Sequence, residues 1–177
     1  MLMPNMNERT RDLEIPISTP DGEFIAVFSE KGLCRLEFPS GASRRGDGKR
    51  AAKLTPRLRR WRALTARALK HAISGRRPGA LPPLDLSSGT RFQQIVWRAL
   101  RRIVPGRTRS YGEVARAIGR ARAVRAVGGA CGANPIPVFI PCHRVIAADG
   151  GLGGFSNGWD WKRKLLAREG VRRQEPR

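Results

Sequence analysis

The spacing of apolar and polar positions changes period along this chain, and each change marks a predicted element. Residues 24–28 and 33–38 form two short apolar or alternating runs separated by Ser29-Glu30-Lys31-Gly32, a pattern that predicts a β-hairpin. Residues 39–53, rich in Gly, Ser, Arg and Lys, predict an exposed loop. Thr55-Pro56 then offers an N-cap with proline at the first helical position, and Leu58, Trp61, Leu64, Leu69 and Ile73 follow the helical period until Gly75. Residues 76–88 carry Pro78, Pro82 and Pro83 and read as a linker. Beyond it, Thr90-Arg91-Phe92-Gln93 is a capping box that opens an amphipathic helix. Phe92, Ile95, Val96, Leu100 and Ile103 are placed on its apolar face and Arg98, Arg101 and Arg102 on the other, with Pro105-Gly106 as the break. A second capping box, Ser110-Tyr111-Gly112-Glu113, starts a short helix through Ile118. Gly119 turns the chain into another helix over about 122–131. Val138-Phe139-Ile140 reads as a buried strand stopped by Pro141. A glycine-rich stretch over 148–158 follows. Trp161, Leu165 and Leu166 then give an apolar face to a last helix, closed by Glu169-Gly170.

This pattern predicts two domains, a small α/β unit over 13–88 and a mainly helical one over 89–170, with flexible ends at 1–12 and 171–177. Two short helices around a glycine turn are a helix-turn-helix signature. The length of 177 residues suffices for two such cores.

Charge sharpens the picture. The formal net charge is +21. Residues 1–88 hold 17 Lys/Arg against 9 Asp/Glu, a balance of +8, and residues 89–177 hold 18 against 5, a balance of +13. Such a field draws in polyanions, and its excess lies in the half with the helix-turn-helix. The second of those helices is nearly bare: Ala121, Ala123, Ala126, Gly128, Gly129 and Ala130 leave Arg125 as its main projection. A bare helix bearing one arginine suits close approach to a partner helix or to a nucleic-acid minor groove. No apolar run approaches the roughly 18 residues of a membrane span, and no signal-peptide pattern is present, so a soluble, cytoplasmic location is expected.

The chemistry is concentrated at Ile140-Pro141-Cys142-His143-Arg144-Val145. A thiol at a chain break beside imidazole and guanidinium has surroundings that favour thiolate. Three cysteines, Cys34, Cys131 and Cys142, lie far apart in sequence and are accompanied by only two histidines, His71 and His143. That set suggests neither a disulfide framework nor a metal site, and no cofactor is expected.

Residues 89–170 resemble the alkylguanine-DNA alkyltransferases, the methylated-DNA–protein-cysteine methyltransferases. The likeness rests on Ser110-Tyr111-Gly112-Glu113-Val114-Ala115, Arg125-Ala126-Val127-Gly128, Asn134-Pro135, the Cys142-His143 segment and Lys162-Arg163-Lys164-Leu165-Leu166 through Glu169-Gly170. Residues 13–88 resemble the family's small N-terminal domain in outline only. The resemblance implies an α/β N-terminal domain followed by a helical domain with a winged-helix-like DNA-binding unit. It implies that Cys142 accepts an alkyl group from 6-O-alkylguanine, with 4-O-alkylthymine a second candidate lesion. His143 is then the base acting through a water, Glu169 the carboxylate that orients it, and Asn134 a brace beneath the site. Arg125 fills the gap left by an extruded nucleotide, and Tyr111 donates its hydroxyl to the flipped base. Ser110, Ala123 and Ala126 lie on the DNA side, while Cys131, Val145, Phe155 and Ser156 line the base pocket. The implied partner is double-stranded DNA bound through its minor groove by a nucleoid-associated monomer, with clustering on DNA as a variant. Phe155 stands where some members have tyrosine, and Cys131 where some have a bulkier residue.

Two rival readings remain. A non-catalytic damage-binding or transcriptional helix-turn-helix protein accounts for the charge but leaves Cys142, His143 and Glu169 without a purpose. A cysteine hydrolase accounts for those three but not for the basic helix, and it turns over many times per molecule.

Overall fold

The computed structural model describes residues 12–39 and 54–171. The expectations for the ends at 1–12 and 171–177 and for the loop over 39–53 lie outside the described residues except at residues 12, 39 and 171.

The chain opens with a three-stranded antiparallel sheet in the order β1-β2-β3, formed by β1 (Leu13–Thr19), β2 (Gly22–Ser29) and β3 (Gly32–Glu37). The predicted hairpin is β2–β3, and its register shifts at Val27/Phe28. β1 pairs with β2 from Leu13↔Phe28 to Thr19↔Gly22. It buries Ile15 and Ile17 in strict alternation, and it tolerates Pro16 because it is an edge strand. Helix α1 (Pro56–Ile73) covers the sheet. Thr55 caps its start by accepting from the Leu58 amide, and Gly75 follows its end at φ +81°. Gly75 has a second constraint: a Cβ there would lie 2.0 Å from the Arg168 carbonyl oxygen, so only glycine lets the last helix pass.

The proline-rich stretch 76–88 is a strap along β3, more tightly held than a linker. The Leu33 amide donates to the Pro83 carbonyl at 2.9 Å, the Asp85 amide donates to Leu33 at 2.8 Å, and the Ser29 hydroxyl donates to the Asp85 carboxylate at 2.6 Å. Covering β3 in this way removes an open sheet edge.

Helix α2 (Arg91–Leu100) has the predicted capping box. Its buried stripe is rotated from the expected one: Ile95 is 38 % exposed, whereas Trp97 is 1 % exposed. The correction has a simple cause. The Trp97 indole N–H reaches the Ala130 carbonyl at 2.8 Å, so burying this large ring leaves no unpaired donor. Strand β4 (Arg109–Ser110) leads into α3 (Tyr111–Ala117), capped by Ser110 as predicted, and the turn at Gly119 (φ +69°) leads to α4 (Val124–Gly132). These two helices form the helix-turn-helix. β4 pairs in parallel with β5 (Val145–Ile146), giving a small two-stranded sheet. Helix α5 (Trp159–Arg168) is the last element of the described residues.

The predicted strand at Val138-Phe139-Ile140 is absent. These residues are buried, but they form a tight loop in which the Ile140 amide donates to the Ile136 carbonyl at 2.9 Å. Val138 takes φ +75°, a conformation that costs a β-branched residue roughly 1–3 kcal/mol. Cys142–Arg144 then forms one turn of 3-10 helix.

The sheet and the helical part are joined by charge as well as packing. Asp21 binds the Arg168 guanidinium through both carboxylate oxygens and the Lys164 ammonium at 2.8 Å, and Arg168 also donates to the Ile73 carbonyl at 3.0 Å. The hydrogen bonds from Arg168, helped by Lys164, hold the Asp21 carboxyl at about 2.

Candidate active site

Pro141 and the strained loop before it present Cys142 at the floor of a cavity of about 530 Å³, lined by Tyr111, Gly128, Cys131, Gly132, Cys142, Gly154, Phe155 and Ser156. Its size falls within the roughly 300–1,000 Å³ of small-ligand pockets. The thiol is 6 % exposed. The Asn134 side-chain amide donates to Cys142 Sγ at 3.0 Å and to the Ile140 carbonyl at 2.7 Å, while its oxygen accepts from the Ile136 amide at 3.1 Å. Asn134 thus ties together the loop and the sulfur that ends it.

The electropositive surroundings expected of Cys142 differ from those found. His143 and Arg144 turn away from the thiol toward Glu169, because consecutive residues of a 3-10 turn project in different directions. Burial pushes the Cys142 thiol up, and what opposes it is the Asn134 hydrogen bond and the charge of Lys162.

Glu169, at the end of α5, receives His143 Nε2 at 2.9 Å, Arg144 Nε at 3.1 Å and Arg144 Nη2 at 2.9 Å. Arg144 also donates to the Ile103 carbonyl, and the Gly106 amide donates to Glu169. Burial alone would raise the Glu169 carboxyl. The hydrogen bonds and charges of His143 and Arg144 outweigh it and hold the group at about 2. His143 is 1 % exposed, and burial lowers its imidazole despite Glu169. A neutral ring that donates from Nε2 to a carboxylate carries its lone pair on Nδ1. Nδ1 is buried and has no hydrogen-bond partner among the described residues, which leaves it available to accept a proton.

Tyr111, the first residue of α3, is half-buried and lines the same cavity, and its hydroxyl donates to the Gly154 carbonyl at 3.5 Å. Burial raises the phenol, so it keeps its proton at neutral pH. A Cβ on Gly153 would lie 2.7 Å from that hydroxyl, so glycine is required where the loop passes the ring. Cys131, on α4, faces the same cavity and is pushed up to about 12 by burial. The two cysteines that are distant in sequence therefore share one pocket. Ser156 lies on the rim and donates to the Gly132 carbonyl at 2.8 Å.

Val145 is not part of the lining. It is fully buried behind the pocket, where its carbonyl accepts from Lys162 Nζ at 2.6 Å. Arg125 and Ala126 are exposed on the outer face of α4, with Ala123 partly exposed at its start. The Ser110 hydroxyl is engaged in capping, accepting from the Glu113 amide at 3.1 Å.

Two contributors escape a reading of the sequence. Lys162 is fully buried and also reaches the Gly154 carbonyl at 3.4 Å. The helical period gives a signal for it, since 162, 165 and 166 share a face. Arg144, adjacent to the thiol in sequence, serves the carboxylate. Among the described residues no group of three His, Cys, Asp or Glu could hold a metal ion, and no helix is long and apolar enough to cross a membrane.

The chain is similar to known proteins along most of its length. Residues 91–171 match the family model described as the 6-O-methylguanine DNA methyltransferase DNA-binding domain. A methylated-DNA–protein-cysteine methyltransferase of Methanosarcina barkeri is 42 % identical over 156 residues, covering 86 % of this chain and 94 % of that protein. A second protein of that name, from Mycolicibacterium paratuberculosis, is 56 % identical over 93 residues, 52 % of this chain and 54 % of that protein. Among solved structures, the Mycobacterium tuberculosis OGT in complex with DNA superposes with a TM-score of 0.69 at 36 % identity, covering 87 % of this chain and 90 % of that one. Likeness along most of its length makes this chain a member of the methylated-DNA–protein-cysteine methyltransferase family.

Proposed function

We propose that this protein repairs DNA by moving the alkyl group of 6-O-alkylguanine onto Sγ of its own Cys142, once per molecule. The observation that carries this reading is a buried thiol at the floor of a cavity, braced by Asn134 and adjacent to a His143–Glu169 pair.

Residues 89–170 carry the chemical groups, and residues 13–88 serve as a scaffold. Helix α4 enters the minor groove. Its small outer residues, Ala123 and Ala126, allow close approach, and Arg125 takes the place of the extruded nucleotide. Flipping costs a few kcal/mol, and less for a poorly paired lesion. The basic surface offsets that cost by releasing counterions from the phosphates. Inside the cavity the base lies between Tyr111 and Phe155, near Cys131 and Ser156. His143 Nδ1 takes the Cys142 proton through one water, and Glu169 stabilises the imidazolium that forms. The sulfur then bonds to the alkyl carbon as the carbon–oxygen bond breaks. The electron pair goes to guanine, which gains a proton from the Tyr111 hydroxyl, and the proton held by the His143 imidazolium makes up that loss through water, so that both side chains end neutral. The product is a thioether that water does not cleave, so the thiol is not regenerated. Such a protein acts inside the cell, at the chromosome.

Stoichiometry tests this reading. With duplex DNA carrying labelled 6-O-methylguanine in excess, methyl transfer rises to one per protein and stops. Continued release would point to a hydrolase, and binding without transfer to a non-catalytic module. In the same assay Arg125→Ala slows repair of duplex by about 10-fold or more, the scale of a lost interaction worth at least 1.4 kcal/mol. It leaves the reaction with free 6-O-benzylguanine nearly unchanged, because a free base needs no flipping. An equal loss on both substrates would contradict the base-replacement role.

A further inference from the structure

Phe155 is the aromatic wall of the cavity, yet it sits on a stretch with glycine at 150, 151, 153, 154 and 158. Such a backbone does little to fix a side chain. What fixes this one comes from the other end of the molecule. Phe38, immediately after β3, meets the Phe155 ring edge-on at 6.0 Å and 90°. Phe38 is itself held from behind, at 4.8 Å by Trp161 of α5 and at 5.1 Å by Phe24 of β2, and Phe24 meets Trp161 at 5.7 Å. It is 9 % exposed, so this ring is part of the core on one side and buttresses the pocket on the other.

The same strand touches the thiol side separately. The Leu36 amide donates to the Pro135 carbonyl at 2.9 Å, next to the Asn134 that holds Cys142 Sγ. One arm is backbone and acts on the sulfur loop; the other is the Phe38 side chain and acts on the wall against which a base would stack.

We propose that Phe38 is a positioning residue: it sets the Phe155 face and thereby how tightly the pocket holds guanine, without acting on the reactivity of the thiol. This deepens the alkyl-transfer reading and rests on it. Edge-to-face pairs contribute about 0.5–1.5 kcal/mol beyond area burial, so losing the ring weakens base binding by up to about 10-fold.

The test uses the full chain and two reagents, free 6-O-benzylguanine for the pocket and iodoacetamide for the thiol. Phe38→Leu keeps most of the buried volume but removes the ring. It raises the half-saturating benzylguanine concentration about 5- to 10-fold, the upper end being the loss of roughly 1.4 kcal/mol, with the limiting rate and the pH profile of iodoacetamide labelling at Cys142 unchanged. Phe38→Tyr restores the half-saturation value. Trp161→Phe, which loosens the support behind Phe38, moves it in the same direction as Phe38→Leu and keeps the test open if leucine at 38 compromises folding. An unchanged half-saturation value in both Phe38→Leu and Trp161→Phe would overturn the proposal. So would a parallel change in iodoacetamide reactivity in either direction, because that places the effect on the thiol or on the whole fold rather than on the pocket wall. A wild-type protein that labels with iodoacetamide but takes no methyl group from 6-O-methylguanine in duplex DNA would instead overturn the alkyl-transfer reading underneath.

Discussion

Cys142→Ala abolishes alkyl transfer to the protein while DNA affinity stays within about twofold, since affinity for DNA comes mainly from phosphate contacts. The two properties separate because they belong to different surfaces. The sulfur is 6 % exposed at the bottom of a cavity, whereas the groups assigned to DNA, Arg125 and Ala126, lie on the outer face of α4. Removing one sulfur leaves the Asn134 amide its bond to the Ile140 carbonyl, so the loop keeps its brace. The other thiol in the cavity is not expected to substitute, because Asn134 supports the sulfur of Cys142 and not that of Cys131. Filter binding or fluorescence anisotropy on duplex DNA, beside a transfer assay, measures both. Residual transfer in the variant would show that another residue accepts the alkyl group.

Glu169→Gln is expected to damage both stability and rate. The carboxylate lies between His143 and Arg144, with its side chain and that of His143 1 % exposed and that of Arg144 6 % exposed. Glutamine fills the space but leaves the guanidinium buried without its counter-charge, and breaking a buried pair in this way costs about 3–5 kcal/mol. The imidazolium formed when His143 accepts the thiol proton also loses its stabiliser. Transfer to free benzylguanine therefore slows by about 10²-fold or more, the contribution of a positioned acid–base group. The wild type has the matching pH signature. Glu169 is held at about 2 against an ordinary 4.5, so unfolded chains bind more protons than folded ones between those values. Its stabilisation is complete above about 4.5 and fades as pH falls toward 2. His143, lowered by burial, adds a loss that begins as pH falls below its ordinary 6.5. Acid unfolding of Glu169→Gln lacks the Glu169 part of this dependence. An unaltered melting curve and rate would remove Glu169 from the mechanism.

What could be read from the sequence followed the distance over which each signal acts. Caps and turns are local, so Thr55, Thr90, Ser110, Gly75 and Gly119 marked helix boundaries correctly. Burial depends on partners far along the chain, which local periodicity does not register. Trp97 took the inward place assigned to Ile95 because of an acceptor 33 residues away. β1, which has no counterpart in the sequence pattern described above, carries a proline, Pro16, that an edge strand tolerates. The apolar run at Val138 was assigned a strand, but Asn134 folds it into a loop through bonds that periodicity does not register. The geometry of Cys142, Asn134, His143 and Glu169 is a long-range product, and their association was legible only through the family resemblance. Phe38 carried no such signal, since its role depends on Phe155 more than a hundred residues later.

The most direct test is the intact and peptide mass of the protein after reaction with duplex DNA bearing a single 6-O-methylguanine. Stoichiometric transfer to the thiol predicts the added mass of one methyl group, confined to the peptide that contains Cys142, with guanine restored in the DNA. Restored guanine alongside an unmodified Cys142 would contradict it.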